Sequence, residues 1–255
     1  MDPASLIGLG IAFGAILLAI ILEGSSPMSV VLIPPMILVI LGTIGAGFTG
    51  IRMADLPIII NALIKALTGK AVNMESTIDT IVSLAEKARR EGLLALEDAA
   101  KDVDDKFLKD GLQAAIDGAD PEDLREMLHS KIDTKKATDK VGANFFATAG
   151  GYAPTVGIIG TVVSLVHVLE NLSEPAKLGH MIAAALVATF WGLLTANIIL
   201  LPLSARLKRL SETEAAQMEL VVEGLMAVQA GANPRLVGQR LRSLVPETGK
   251  AKAAA

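Results

Sequence analysis

Apolar residues in this chain come in long blocks, not at periodic positions. Residues 4–22 carry no charge and are dominated by Ile, Leu, Ala and Gly. After the break Glu23-Gly24-Ser25-Ser26-Pro27, residues 28–51 repeat that character. Each block is close to the ~20 helical residues, at ~1.5 Å apiece, that cross ~30 Å of hydrocarbon. Residues 145–169 and 181–204 form a second such pair, separated by 170–180, where Pro175 and Gly179 suit a turn. The pattern predicts four membrane spans in two hairpins.

Between the hairpins the pattern changes to helical alternation. Ile78, Ile81, Val82, Leu84, Ala85, Ala88, Leu93, Leu96 and Ala100 broadly follow helical spacing with charges between them. Asp120-Pro121-Glu122-Asp123 reads as a helix start, with a capping Asp, Pro at the first position and acids in the first turn. Helix formers run on from Arg206 to Val228, so the fourth span is expected to continue past the membrane until Gly231-Ala232-Asn233-Pro234 ends it. Beyond Pro246 the sequence reads as a disordered tail.

The expected fold class is all-α: a polytopic membrane protein with four transmembrane helices and a helical cytoplasmic domain. Its expected parts are a transmembrane hairpin at 1–51 with an outer loop at 23–27, a cytoplasmic helical domain at 52–144, a second hairpin at 145–204 with an outer loop at 170–180, and a cytoplasmic helix with a tail at 205–255.

Composition supports this reading and gives it a direction. Hydrophobic residues make up 52%, charged residues 20%, and mean hydropathy is +0.53, too apolar for an ordinary soluble chain of 255 residues. Lys177 is the single basic residue outside 52–140 and the segment after 205. Since basic residues are retained inside, both charged segments and both termini are expected in the cytoplasm. The N-terminal block lacks a basic leader, so it is expected to be a retained anchor. Segment 52–140 holds 14 basic and 18 acidic residues, which argues against nucleic acid as a partner. There is no cysteine, and His129, His167 and His180 have no zinc-site spacing, so no metal or other cofactor is expected. No nucleophile set or phosphate loop stands out, and the chain is not expected to be an enzyme.

Gly8, Gly10, Gly14, Gly42, Gly45 and Gly47, with Gly150, Gly151, Gly157 and Gly160, allow close helix approach in lipid. Pro34-Pro35, Pro154 and Pro202 are expected to interrupt spans two, three and four. No acidic or basic residue falls near the middle of a span. The polar candidates there are Thr43, Thr148, Thr155, Thr161, Ser164, Thr189, Trp191, Thr195 and Asn197. Hydroxyls solvate an ion but do not cycle a proton at ordinary pH, so a carboxylate for ion passage has to come from a partner.

The stretch Gly150-Gly151-Tyr152-Ala153-Pro154-Thr155-Val156-Gly157-Ile158-Ile159-Gly160-Thr161, followed by His167-Val168-Leu169-Glu170-Asn171-Leu172, resembles the third span of the MotA family. Ala196-Asn197-Ile198-Ile199-Leu200-Leu201-Pro202 resembles the inner end of its fourth, and Arg89-Arg90-Glu91-Gly92-Leu93-Leu94-Ala95-Leu96-Glu97 its rotor-facing segment. The resemblance implies a flagellar stator subunit, a pentamer around a MotB dimer, with MotB supplying the ion-binding aspartate and the rotor protein FliG receiving the force. The implied ion is H+, with Na+ the alternative. Carried over by position, Arg89 and Glu97 are implied rotor contacts, Pro154 and Pro202 coupling prolines, and Thr161 and Thr189 lining of the ion path. On one continuous helix, Arg89 and Glu97 would stand about two turns apart and within ~80° of each other.

The nearest rival is an ExbB or TolQ subunit, which typically has three spans and an outward N-terminus, against the early hairpin here; a sodium-driven PomA-type stator is the other alternative. A secondary transporter would place charged or unwound segments at the midplane, and the sequence has neither.

Overall fold

The computed structural model describes residues 3–69, 72–173 and 175–245, so the expected tail beyond Pro246 lies outside the described residues. The elements are helical: α1 (Pro3–Leu22), a 3-10 turn (Pro27–Val30), α2 (Ile33–Phe48), α3 (Leu56–Thr68), α4 (Met74–Glu91), α5 (Leu96–Lys101), α6 (Lys106–Ile116), α7 (Pro121–Glu170), α8 (Pro175–Leu194), a π-helical segment (Thr195–Leu200), α9 (Leu201–Gln229) and α10 (Pro234–Leu244). The chain divides into two compact units, one formed by residues 1–70 and 138–209, the other by 71–137 and 210–255.

In the first unit, α1 and the apolar stretches of α7 and of α8 through α9 are each long and apolar enough to cross a membrane. A fourth candidate is α2 taken together with the helix after it, from which it bends by 113°. Helix α2 is shorter than the expected span of 28–51. Pro34 and Pro35 fall in its first turn, where a missing N–H costs nothing, so they start the helix and do not kink it. Lipid-facing character shows in exposure: Ile11 is 67% and Leu22 77% accessible within the unit.

Helix α3 was expected in the cytoplasmic part, yet it packs in the first unit. Ile59, Ala62 and Ala66 bury one face against Ala143, Phe145 and Phe146 of α7 and Leu207 of α9. Asp55 precedes it. Its carboxylate accepts a hydrogen bond from the Arg52 backbone N–H at 3.1 Å and pairs with the Arg52 guanidinium at 3.4 Å. These bonds, the backbone one foremost, hold the Asp55 carboxyl below the usual carboxylate range.

The second unit is a small helical domain with an aliphatic core. Ile78, Ile81 and Leu84 of α4, Leu108 and Leu112 of α6, Leu124, Leu128 and Ile132 of α7, Val221 and Leu225 of α9 and Val237 and Leu241 of α10 are all buried together. Caps delimit its helices: the Asn73, Asp105 and Asn233 side chains accept N–H bonds from the first turns of α4, α6 and α10. The expected start at Asp120 is present, its side chain accepting from Glu122 N–H at 2.9 Å. Helix α9 continues to Gln229, and Gly231, with φ +64, ends it as expected.

Two further expectations change. The outer loop of 170–180 is shorter, because helix resumes at Pro175, a residue preorganised for a helix start. The helical run expected from Ile78 to Ala100 is broken into α4 and α5. Gly92 takes φ +85 and ψ 168, a backbone conformation that in effect only glycine adopts, and its N–H closes α4 on Ala88 O.

Candidate functional site

The candidate site lies in the first unit, where α7 and α8 touch backbone to backbone. A Cβ on Gly157 would stand 2.9 Å from Ala188 O and 3.1 Å from Gly192 Cα, and one on Gly192 would stand 2.7 Å from Ala153 O. Gly160 presses on Ala188 Cβ in the same way. Only residues without side chains permit this approach. Of the ten glycines expected to pack, Gly42, Gly47, Gly150, Gly157 and Gly160 do. Gly8, Gly10, Gly14, Gly45 and Gly151 have open space where a Cβ would go. Gly192, which completes the contact, stood in no glycine-rich run and was missed.

This contact brings Thr161 and Thr189 together. Their hydroxyl oxygens lie 2.5 Å apart, and Thr161 Oγ1 is also 3.0 Å from Ala185 O and 3.2 Å from Gly157 O. A hydroxyl has one proton to give. If Thr161 donates to a carbonyl, Thr189 must donate to Thr161, leaving the lone pairs of Thr189 as the acceptors of the pair. Both residues are half-buried. The neighbouring Trp191 donates from Nε1 to Val30 O at 2.6 Å, tying α8 to the 3-10 turn. Other hydroxyls behave locally: Thr155 bonds to Tyr152 O one turn back, while Thr43 Oγ1 is buried without a partner among the described residues.

The two prolines sit in different settings. Pro154 lies inside α7, where it removes the donor that would reach the Gly150 carbonyl. Pro202 lies in the first turn of α9, immediately after the π-helical segment, where Leu201 N–H reaches back five residues to Ala196 O. A missing donor at 202 and the insertion of one residue into the ladder belong together, and π-segments of this kind occur mostly at functional sites. Asn197 Nδ2 donates to Leu193 O at 3.0 Å across the same turn.

Arg89 and Glu97 are exposed, but not on one helix. Arg89 is in the last turn of α4 and Glu97 in the first turn of α5. The helical-face relation expected of them fails because Gly92 breaks the helix between them. Neither has an ion-pair partner among the described residues. Between them Leu94 is 76% exposed, and beside them Asp98 pairs with Lys101 at 2.8 Å, lowering the carboxyl and raising the amine. His167 and Glu170 lie 3.6 Å apart at the C-terminal end of α7, both mostly exposed. Among the described residues no group of three or more His, Asp or Glu side chains could hold a metal ion.

Helices α7 and α8 thus form a glycine-packed pair with two hydroxyls at their contact. The chain belongs to the MotA/TolQ/ExbB proton channel family, whose model matches residues 99–220. Within it the chain is a MotA-type stator subunit. It is 35% identical to Motility protein A of Bacillus subtilis (strain 168), over all of this chain and 94% of that one. It is 31% identical to Chemotaxis protein PomA of Vibrio alginolyticus, over 98% of each. Among solved structures it is similar to the flagellar MotAB stator complex from Bacillus subtilis, with a TM-score of 0.88 and 34% identity over 99% of this chain and 100% of that one. It is also similar to C. jejuni MotAB, with a TM-score of 0.91 and 26% identity over 96% of each chain. The four-span reading is therefore preferred over the three-span ExbB or TolQ layout.

Proposed function

We propose that this chain forms the moving wall of an ion channel whose titrating carboxylate belongs to a MotB-type partner, as a pentamer around a MotB dimer in the bacterial inner membrane. The observation that carries this reading is the Thr161–Thr189 hydroxyl pair, set in a helix contact with no ionisable group. Such a pair offers lone pairs to a passing ion but has no group that titrates near neutral pH. The membrane aspartate of the partner supplies that group, and no cofactor is needed.

In this reading Thr161 and Thr189 line the path, and Pro154 and Pro202 couple ion passage to motion. The π-segment before Pro202 gives α8 and α9 a place to change register without breaking. Both termini and the charged unit lie in the cytoplasm, in line with the basic residues being gathered there. Arg89 and Glu97, one at each side of the Gly92 turn, meet the rotor protein FliG. The work is mechanical, not catalytic.

The ion is H+ in this proposal, with Na+ as the alternative that the resemblance leaves open. Swimming speed in cells carrying this chain and its partner tests the choice. Proton coupling predicts collapse with a protonophore and indifference to sodium; a speed that tracks sodium and survives the protonophore reverses it. Mass measurement of the purified complex tests the pentamer.

A further inference from the structure

A cavity of about 440 Å³ lies within the first unit, walled by α1 (Gly8, Leu9, Ala12), α3 (Leu63, Leu67) and Pro202 at the start of α9. Its size is in the range of pockets that take organic ligands, ~300–1,000 Å³. Leu63 and Leu67 at its rim are 40% and 44% exposed, so it opens on the apolar, membrane-facing surface. Its walls are aliphatic apart from Ser5, Asn197 and Arg206.

Arg206 sets the chemistry of the occupant. Its Nε donates to Ala66 O at 2.7 Å, one terminal nitrogen to Gly69 O at 3.3 Å and the other to the Ser5 hydroxyl. These bonds cap the end of α3 and fix the guanidinium beside the cavity. They account for three of its five N–H donors. One proton on each terminal nitrogen is left over, and so is the full positive charge, since Arg206 has no carboxylate partner among the described residues. A planar pair of donors with an uncompensated charge matches a phosphate. An aliphatic slot running from that charge matches a hydrocarbon tail, and basic pockets between membrane helices are known to hold anionic headgroups.

We propose that this cavity binds one acyl chain of an anionic glycerophospholipid, with Arg206 holding the phosphate. The lipid then packs directly on Pro202 and on Ile198 and Ile199 of the π-segment.

The test uses the assembled complex in phosphatidylcholine vesicles doped with spin-labelled phosphatidylglycerol, phosphatidylcholine or stearic acid, reading the motionally restricted fraction of each. Phosphatidylglycerol is expected to be restricted in preference to both others. Arg206→Gln is expected to reduce that preference about tenfold, the worth of a charge-assisted bond pair. Gly8→Leu keeps Arg206 and fills the cavity, since nothing lies within 4 Å of a Cβ placed there. It is expected to lower restriction of phosphatidylglycerol without changing the size of the complex. Equal restriction of phosphatidylglycerol and phosphatidylcholine overturns the proposal, as does preference for stearic acid. So does a Gly8→Leu complex that falls apart while its lipid signal is unchanged, for then the cavity is filled by a second copy of the chain.

Discussion

Thr161 and Thr189 share a hydrogen bond of 2.5 Å across two membrane helices, and they can do so because Gly157 and Gly192 let those helices touch. The hydroxyl pair and the glycine pair are one construction. The first loses its geometry if the second is altered.

Adding a methyl group at the contact should therefore separate the helices. Gly157→Ala or Gly192→Ala is expected to cost about 1–3 kcal/mol, the usual penalty of overpacking against atoms that cannot yield. Gly151→Ala, with open space around it, is expected to be neutral or to stabilise by up to about 1 kcal/mol. Thermal unfolding of the three variants in detergent checks the order, and equal midpoints would refute the contact.

Removing a hydroxyl while keeping the shape separates polar function from packing. Thr161→Val or Thr189→Val is expected to cost only about 1 kcal/mol of stability, the net worth of one hydrogen bond. Motility should fall much further than stability does. Normal swimming in both variants would take the pair off the ion path.

Gly92 is expected to control how Arg89 and Glu97, the proposed rotor contacts, are presented. Its φ of +85 with ψ 168 strains any other residue, so Gly92→Ala should cost about 1–3 kcal/mol and disturb the α4–α5 turn. Reversing the charges at Arg89 and Glu97 should leave stability within about 0.5 kcal/mol, as for other exposed positions, while impairing rotation. Hydrogen exchange of the turn and tethered-cell rotation read the two effects separately.

The entry to α3 should depend on pH in one direction. The Asp55 carboxyl is held low in the folded state by the Arg52 N–H and guanidinium. Its stabilising effect is thus complete above the ordinary carboxylate range and is lost as pH falls through the depressed value. Amide protection factors at residues 56–59, which remove the intrinsic slowing of exchange in acid, should fall on acidification, and Asp55→Asn should flatten that fall. An unchanged acid response in the variant would assign the effect elsewhere.

The sequence was most legible where one force dominates. Long apolar blocks marked the candidate spans, and the start at Asp120 and the stop at Gly231 announced themselves through capping chemistry. It was least legible where a single backbone angle or a tertiary contact decides. Gly92 looked like one more residue in a helical run, until its left-handed conformation separated Arg89 from Glu97. Pro34 and Pro35 read as a kink because a hydropathy block does not reveal where its helix begins. Helix α3 carries one charge, Lys65, and was grouped with the charged segment by its position in the sequence, yet its Ala62 and Ala66 pack with the phenylalanines of α7. Gly192 and Arg206 were invisible in sequence because their meaning lies in residues far along the chain.

Ion flux across vesicles tests the central claim most directly. Vesicles holding this chain alone should stay tight to both protons and sodium, because no group at the Thr161–Thr189 contact can carry a titrating charge. Adding a MotB-type partner with its membrane aspartate intact should open conduction, and the same partner with that aspartate changed to asparagine should not. Appreciable flux through the lone chain would contradict the account.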